Sequence, residues 1–214
     1  MVLTKDCARD VLEKIINITP ETESALHFNN PFELAIAVML SAQTTDRAVN
    51  KATPALFRDY PSPKEMAKAE PEDIQEYIKS IGLYRNKSKY AVGIARMLME
   101  DFDGEVPKNR TDLMKLPGIG RKSANVILSV AFDIPAFAVD THVTRVAKHH
   151  KIAEEDWNVR QIEKRITSVL PKELWKKAHM SMIRFGREIC HPRNPECENY
   201  PELYTCQEFE EVKL

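Results

Sequence analysis

Apolar residues recur at intervals of three and four along almost the whole of this chain. No stretch alternates with the period of two that a half-buried strand requires. β-branched residues do not gather into short bounded runs either, so the chain is read as all-α. Helical patterns run from Lys5 to Ile18, from the Asn30-Pro31-Phe32-Glu33 start to Leu40, and onward from Thr44 or Thr45. Further ones cover Ser62 to Ala69, Pro71 to Ser80, Lys87 to Phe102, Arg110 to Leu116, Arg121 to Phe132, Asp140 to His150, Val159 to Leu170 and Lys172 to Ile189. Asn30 suits a cap, Pro31 the first turn, and Glu33 a capping box. Residues 34–40 are apolar on all sides, which marks a central helix. Pro54 falls inside a periodic pattern and predicts a kink or restart, with Thr53 as its cap.

A length of 214 residues suits one large domain or two small ones, and 43% apolar residues suffice for a core. The longest apolar run, Leu34 to Leu40, is far below the ~18 residues that a membrane span needs. The N-terminus has no charged start followed by an apolar stretch, so no secretory signal is expected and the cytoplasm is the expected location. The net charge of −1 is not that of a nonspecific nucleic-acid coat. Any contact with DNA must therefore come from a local basic face and from backbone amides.

The most informative stretch is Leu113 to Leu128, where two helical patterns are joined by Pro117-Gly118-Ile119-Gly120. Two glycines permit positive φ and close approach of another backbone. The first amides of the next helix lack intrahelical partners, and the helix dipole adds partial positive charge there. Together they form a phosphate seat that needs no excess of lysine. A tight turn between packed helices has the same glycine spacing, but the continuation into Arg121-Lys122 is more specific.

That hairpin and Val139-Asp140-Thr141-His142-Val143 are joined by Leu40-Ser41-Ala42-Gln43-Thr44-Thr45-Asp46, Ile81-Gly82-Leu83-Tyr84 and the terminal cysteines. In this order they resemble the endonuclease III branch of the helix-hairpin-helix DNA glycosylases over almost the whole chain. The resemblance implies an all-α, two-lobed fold with a DNA cleft between the lobes. Residues 21–134 would form a six-helix lobe bearing the hairpin, and residues 1–20 with 135–214 the second lobe. It implies a monomeric, bacterial-type base-excision enzyme, nucleoid-associated and with no membrane partner. Its substrate would be double-stranded DNA holding damaged pyrimidines or abasic sites. The enzyme would be both a glycosylase and an AP lyase.

The residue matching Lys122 attacks the sugar C1′ in that family, displaces the base and leaves an imine that permits β-elimination. Independently, the positive end of a helix favours the neutral amine that such chemistry requires. Asp140 reads as a helix N-cap, and a carboxylate held by amides also suits stabilisation of an oxocarbenium ion; Lys122 and Asp140 would face each other across the cleft. Gln43 and Leu83 match positions that enter the duplex, Leu83 as an apolar wedge. Asp46 and His142 are candidates for the damaged-base pocket. Gly118, Gly120, Arg121 and Arg145 are candidates for phosphate binding, with Arg85, Lys87, Lys89, Lys148, His149 and His150 as further cations. An 8-oxoguanine glycosylase shares the lysine and aspartate logic, but the Leu-Ser-Ala-Gln segment and the cysteines favour the endonuclease III branch. Lys122 argues against an adenine glycosylase and against a non-catalytic DNA clamp.

The family holds a [4Fe-4S] cluster through Cys-x6-Cys-x2-Cys-x5-Cys. Here the pattern reads Cys190, Cys197, Tyr200, Cys206, so the third ligand position is tyrosine. Three outcomes stay open at this point. One is a labile cluster on Cys190, Cys197 and Cys206. Another is a fourth ligand such as Tyr200, Cys7 or His191. The last is a loop with no cluster, packed by Tyr200, Leu203 and Tyr204.

Overall fold

Helical periodicity decides the architecture. The computed structural model describes residues 1–21 and 23–212, and among them are eleven α-helices and a single pair of two-residue strands. No described helix is long and apolar enough to cross a membrane. The chain divides into two compact units, Ser24–Ile134 and Met1–Glu23 with Pro135–Leu214.

The first unit is built around α2 (Pro31–Leu40), whose residues from Phe32 to Leu40 are all buried. Asn30 caps it by accepting from the Glu33 N–H at 2.9 Å. The Glu33 carboxylate reaches back to the N–H of Asn29 at 2.7 Å, so the expected capping box closes one residue upstream of its usual place. Around this helix lie α3 (Asp46–Asp59), α4 (Pro63–Met66), α5 (Pro71–Ile78), α6 (Tyr84–Asp101), α7 (Arg110–Leu113) and α8 (Arg121–Ala131). The restart expected at Pro54 does not occur: α3 runs unbroken through it. Proline removes one N–H, while buried Val49, Ala52, Leu56 and Phe57 hold both halves of the helix on the same core. Thr53 is not a cap; its hydroxyl donates to the Val49 carbonyl at 3.1 Å.

The second unit joins α1 (Lys5–Ile18) to α9 (Thr141–His149), α10 (Val159–Val169) and α11 (Trp175–Glu188). Its core includes Leu12, Ile15, Val143, Val146, Ile162, Ile166, Met182 and Phe185, all buried. The expected helix from Lys172 begins instead as a short 3-10 turn before Trp175. An unforeseen strand pair, β1 (Val2–Leu3) with β2 (Phe209–Glu210), is antiparallel with Leu3 opposite Phe209. Two residues are too few to carry a period-two signature. The buried Arg165 guanidinium fastens this pair, donating to the Leu3 carbonyl and pairing with Glu210 at 2.9 Å.

Candidate functional site

In the hairpin, α7 and α8 are locked by Arg110 Nε donating to Asn125 Oδ1 at 2.8 Å. Gly118 has φ +75°, and a Cβ there would stand 2.9 Å from Tyr90 Cδ2 and 3.1 Å from Met39 Cγ. Both its conformation and its neighbours therefore demand glycine. Gly120 differs. It is the extended N-cap of α8 at φ −92°, makes no side-chain cap bond, and would meet nothing within 4 Å if it carried a Cβ. The space before the first amides of α8 is open on the protein side. Arg121 follows half-buried, and Lys122 is exposed in the first turn.

Gln43 and Leu83 share a feature that the sequence did not announce: both are non-glycine residues in the left-handed region, at φ 54° and 60°. Such strain persists only where surrounding structure imposes it, and it gathers at functional sites. Leu83 is also 59% exposed, although an ordinary turn leucine packs inward. Asp46 is half-buried at the start of α3, close behind Gln43 in the chain.

Lys87 is the residue that sequence reasoning misplaced. Its basic neighbours Arg85 and Lys89 suggest an exposed phosphate contact, but it is 3% exposed. Its Nζ donates to the Leu40 carbonyl at 2.8 Å and to Thr44 Oγ1 at 2.7 Å. Burial lowers its pKa from the usual lysine value. It thus ties the start of α6, just after Leu83, to the loop that carries Gln43. The available signal was its place on the stripe Lys87, Ala91, Ala95, Leu98, all buried. Lys87→Met should leave both acceptors unpaired, cost about 1–3 kcal/mol, and loosen residues 41–44. Amide hydrogen exchange in that loop should rise more than in α8; unchanged protection would remove this role.

In the second unit, Asp140 caps α9, with Oδ1 accepting from the Val143 N–H at 2.8 Å. His142 is half-buried two residues along, and burial pushes its imidazole below the usual value, against the pull of Asp140. Arg145 is turned inward. Its Nε donates to the Cys190 carbonyl at 2.8 Å, and its Nη2 donates to the Gly186 carbonyl at 2.7 Å while lying 3.1 Å from His142 Nδ1. The guanidinium therefore links the Asp140–His142 segment to the cysteine loop.

The grouping of Cys206 with Cys190 and Cys197 is corrected by the structure: Cys206 forms a disulfide with Cys7, with Cα atoms 5.2 Å apart. The reason is positional, because the end of the chain folds back over the start of α1. Cys190 and Cys197 remain free thiols, both buried. With Tyr200 at the third position and Cys206 in a disulfide, two of the four thiolates that a [4Fe-4S] cluster takes are missing, and the donor set does not fit it. His150, expected on the surface, is buried beside the two thiols, and its Nδ1 and Nε2 have no hydrogen-bond partner. Burial pushes this imidazole down to about 4 and the Cys197 thiol up to about 12.

Residues 36–172 match the HhH-GPD superfamily of base excision DNA repair proteins. Endonuclease III of Bacillus subtilis (strain 168) is 47% identical over 197 residues, covering 92% of this chain and 90% of the relative. Endonuclease III of Escherichia coli (strain K12) is 40% identical over 205 residues, covering 96% and 97%. The solved structure of a trapped endonuclease III–DNA covalent intermediate, the estranged-adenine complex, matches with a TM-score of 0.90 at 46% identity. That match covers 96% of this chain and 97% of that one.

Proposed function

This chain belongs to the endonuclease III branch of the HhH-GPD superfamily of base excision DNA repair proteins, and on that premise we propose that it is a DNA glycosylase for oxidised pyrimidines whose lysine also nicks the strand. The observation that carries this reading is Lys122, exposed in the first turn of α8 immediately after an open hairpin. A related endonuclease III has been trapped covalently on DNA, which supports covalent chemistry here. Its substrates are double-stranded DNA with a damaged base or an abasic site. It acts as a monomer, in the cytoplasm at the nucleoid.

Lys122 Nζ attacks C1′ with its lone pair as the N-glycosidic bond breaks, and the proton it sheds is available to the departing base. The base leaves with the bonding pair and takes up a proton. The nitrogen lone pair then forms C=N as the C1′–O4′ bond breaks and O4′ takes up a proton, which leaves an iminium, a protonated Schiff base whose positive charge withdraws electrons from C2′. Loss of a C2′ proton then expels the 3′ phosphate with the C3′–O pair, which cuts the strand. Water finally releases Lys122. Asp140 stabilises the positive charge that develops on the sugar, and the same cap that holds its Oδ1 fixes the carboxylate in place. Leu83 wedges between base steps and Gln43 fills the gap left by the extruded nucleotide. The amides at the start of α8 seat a phosphate beyond Gly120.

The direct test uses duplexes that each carry one defined lesion, with borohydride added to the reaction. An oxidised pyrimidine should give base release, a nicked strand and a reduced protein–DNA adduct. Faster release of 8-oxoguanine, or release with no adduct, would overturn the reading. Asp140→Asn separates capping from chemistry, since asparagine also caps. Thermal stability should barely move, while the single-turnover rate of base removal should fall by roughly 10²–10⁴-fold. An undiminished rate would remove Asp140 from the mechanism.

A further inference from the structure

We propose that His149, His150, Cys190 and Cys197 form a mononuclear zinc site. The ligand atoms of these four residues lie within 4.8 Å of one another. A tetrahedral zinc site with bonds of about 2.3 Å to sulfur and 2.0–2.1 Å to nitrogen sets its ligand atoms about 3.3–3.8 Å apart. The four ligand atoms are thus already gathered near that spacing, and side-chain rotation would close them onto the ion. A second observation points the same way. His150 is 5% exposed, yet neither ring nitrogen has a hydrogen-bond partner. Buried polar groups are normally satisfied, and a metal bond would satisfy one of these nitrogens.

The backbone is arranged for the purpose. His149 ends α9, and His150 follows at φ −90°, ψ 16°, where the helix stops. The two rings diverge, with planes at 77° and centroids 5.0 Å apart, so adjacent residues can approach one point from different sides. Phe185 and Tyr204 pack on the His150 ring at 5.6 and 5.9 Å and hold it. The cysteine loop is closed by the Glu196 N–H donating to the Ile189 carbonyl at 3.0 Å and the Cys190 N–H donating to the Phe185 carbonyl at 2.8 Å. Exposed His149 leaves a way in from solvent.

Two thiolates and two imidazoles, with no carboxylate, select zinc over magnesium, calcium or manganese, and the tetrahedral arrangement is the usual structural one. As the ion enters, two thiol protons leave to solvent, and two thiolates balance the double positive charge. The ion would fasten the end of α9 to the loop after α11. This is a structural role, independent of whether Lys122 is the nucleophile.

The full chain, purified without added metal, should contain a single zinc and no stoichiometric iron or acid-labile sulfide by elemental analysis. The metal-free chain titrated with Co²⁺ should show the intense visible bands of a tetrahedral ion and a thiolate charge-transfer band, saturating at one equivalent. His149→Gln, at an exposed position, should keep the fold by circular dichroism and weaken Co²⁺ binding by more than about a hundredfold. Cys197→Ser should lose the charge-transfer intensity from one thiolate. Four irons per chain, a weak octahedral cobalt spectrum, no binding, or an unchanged spectrum in folded His149→Gln would each overturn the proposal. Borohydride trapping reads the catalytic lysine separately, so failure of one reading does not mimic failure of the other.

Discussion

Lys122→Ala should bind a duplex carrying an oxidised pyrimidine within about threefold of the parent chain and yet leave no adduct after borohydride. Lys122 is exposed and lies in the first turn of α8, so its side chain contributes nothing to the core. Alanine is the best helix former, and surface changes of this kind shift stability by about 0.5 kcal/mol at most. The fold and most of the proposed phosphate seat, which would be made of amides, should survive. What disappears is the amine that forms the bond to C1′ in the proposed mechanism. Removing a covalent nucleophile costs several orders of magnitude elsewhere, and at least about a thousandfold is expected here in both base release and nicking. Single-turnover gel assays with the trapped complex as a second readout give both numbers. Equal trapping by the variant would move the nucleophile to another amine, and peptide mapping of the reduced adduct would identify it.

Most of the fold was legible because it rests on local rules. The all-apolar run at 34–40 became the buried α2, and Asn30 and Asp140, both read as caps, do cap their helices through their side chains. Gly118 was legible for the same reason, since its positive φ is a property of a few neighbouring residues. Features that depend on distant parts of the chain were not legible. Lys87 stands in a basic segment, Arg85 to Lys89, whose charge pattern reads as solvated. The stripe Lys87, Ala91, Ala95, Leu98 hinted at an inward place, but the acceptors that make burial of the ammonium tolerable, the Leu40 carbonyl and the Thr44 hydroxyl, lie 47 and 43 residues back in the chain. Cys7 and Cys206 are 199 residues apart, and no spacing rule connects them. His150 looked like one more cation in a basic run, although the helix end turns it into the core. Gln43 and Leu83 take up left-handed φ without being glycines, so the residue type at those positions does not announce it.

Gly118→Ala and Gly120→Ala should fail in opposite ways, and the contrast tests the phosphate seat itself. At Gly118 a side chain is forced into φ +75° and placed 2.9 Å from the Tyr90 ring, with Met39 at 3.1 Å on another side. A left-handed non-glycine residue costs roughly 1–2 kcal/mol and overpacking a further 1–3. A net loss of about 2–4 kcal/mol should lower Tm by about 5–15 °C. At Gly120 the backbone is extended, which any residue tolerates, and a Cβ meets nothing within 4 Å. Alanine there should cost at most about 1 kcal/mol, since it replaces one poor cap with another. A bound phosphate must nonetheless approach the first amides of α8 through that open space. The Cβ stands in its path, and affinity for duplex DNA should fall by about tenfold, or 1.4 kcal/mol. Because no cation is lost, the slope of log affinity against log salt should stay the same, whereas neutralising a phosphate-contacting lysine lowers that slope by about one. Binding isotherms at several salt concentrations, read beside melting curves, distinguish the cases. If Gly120→Ala melts like the parent and binds DNA equally well at every salt, no phosphate sits at the start of α8, and the hairpin must engage DNA through its side chains.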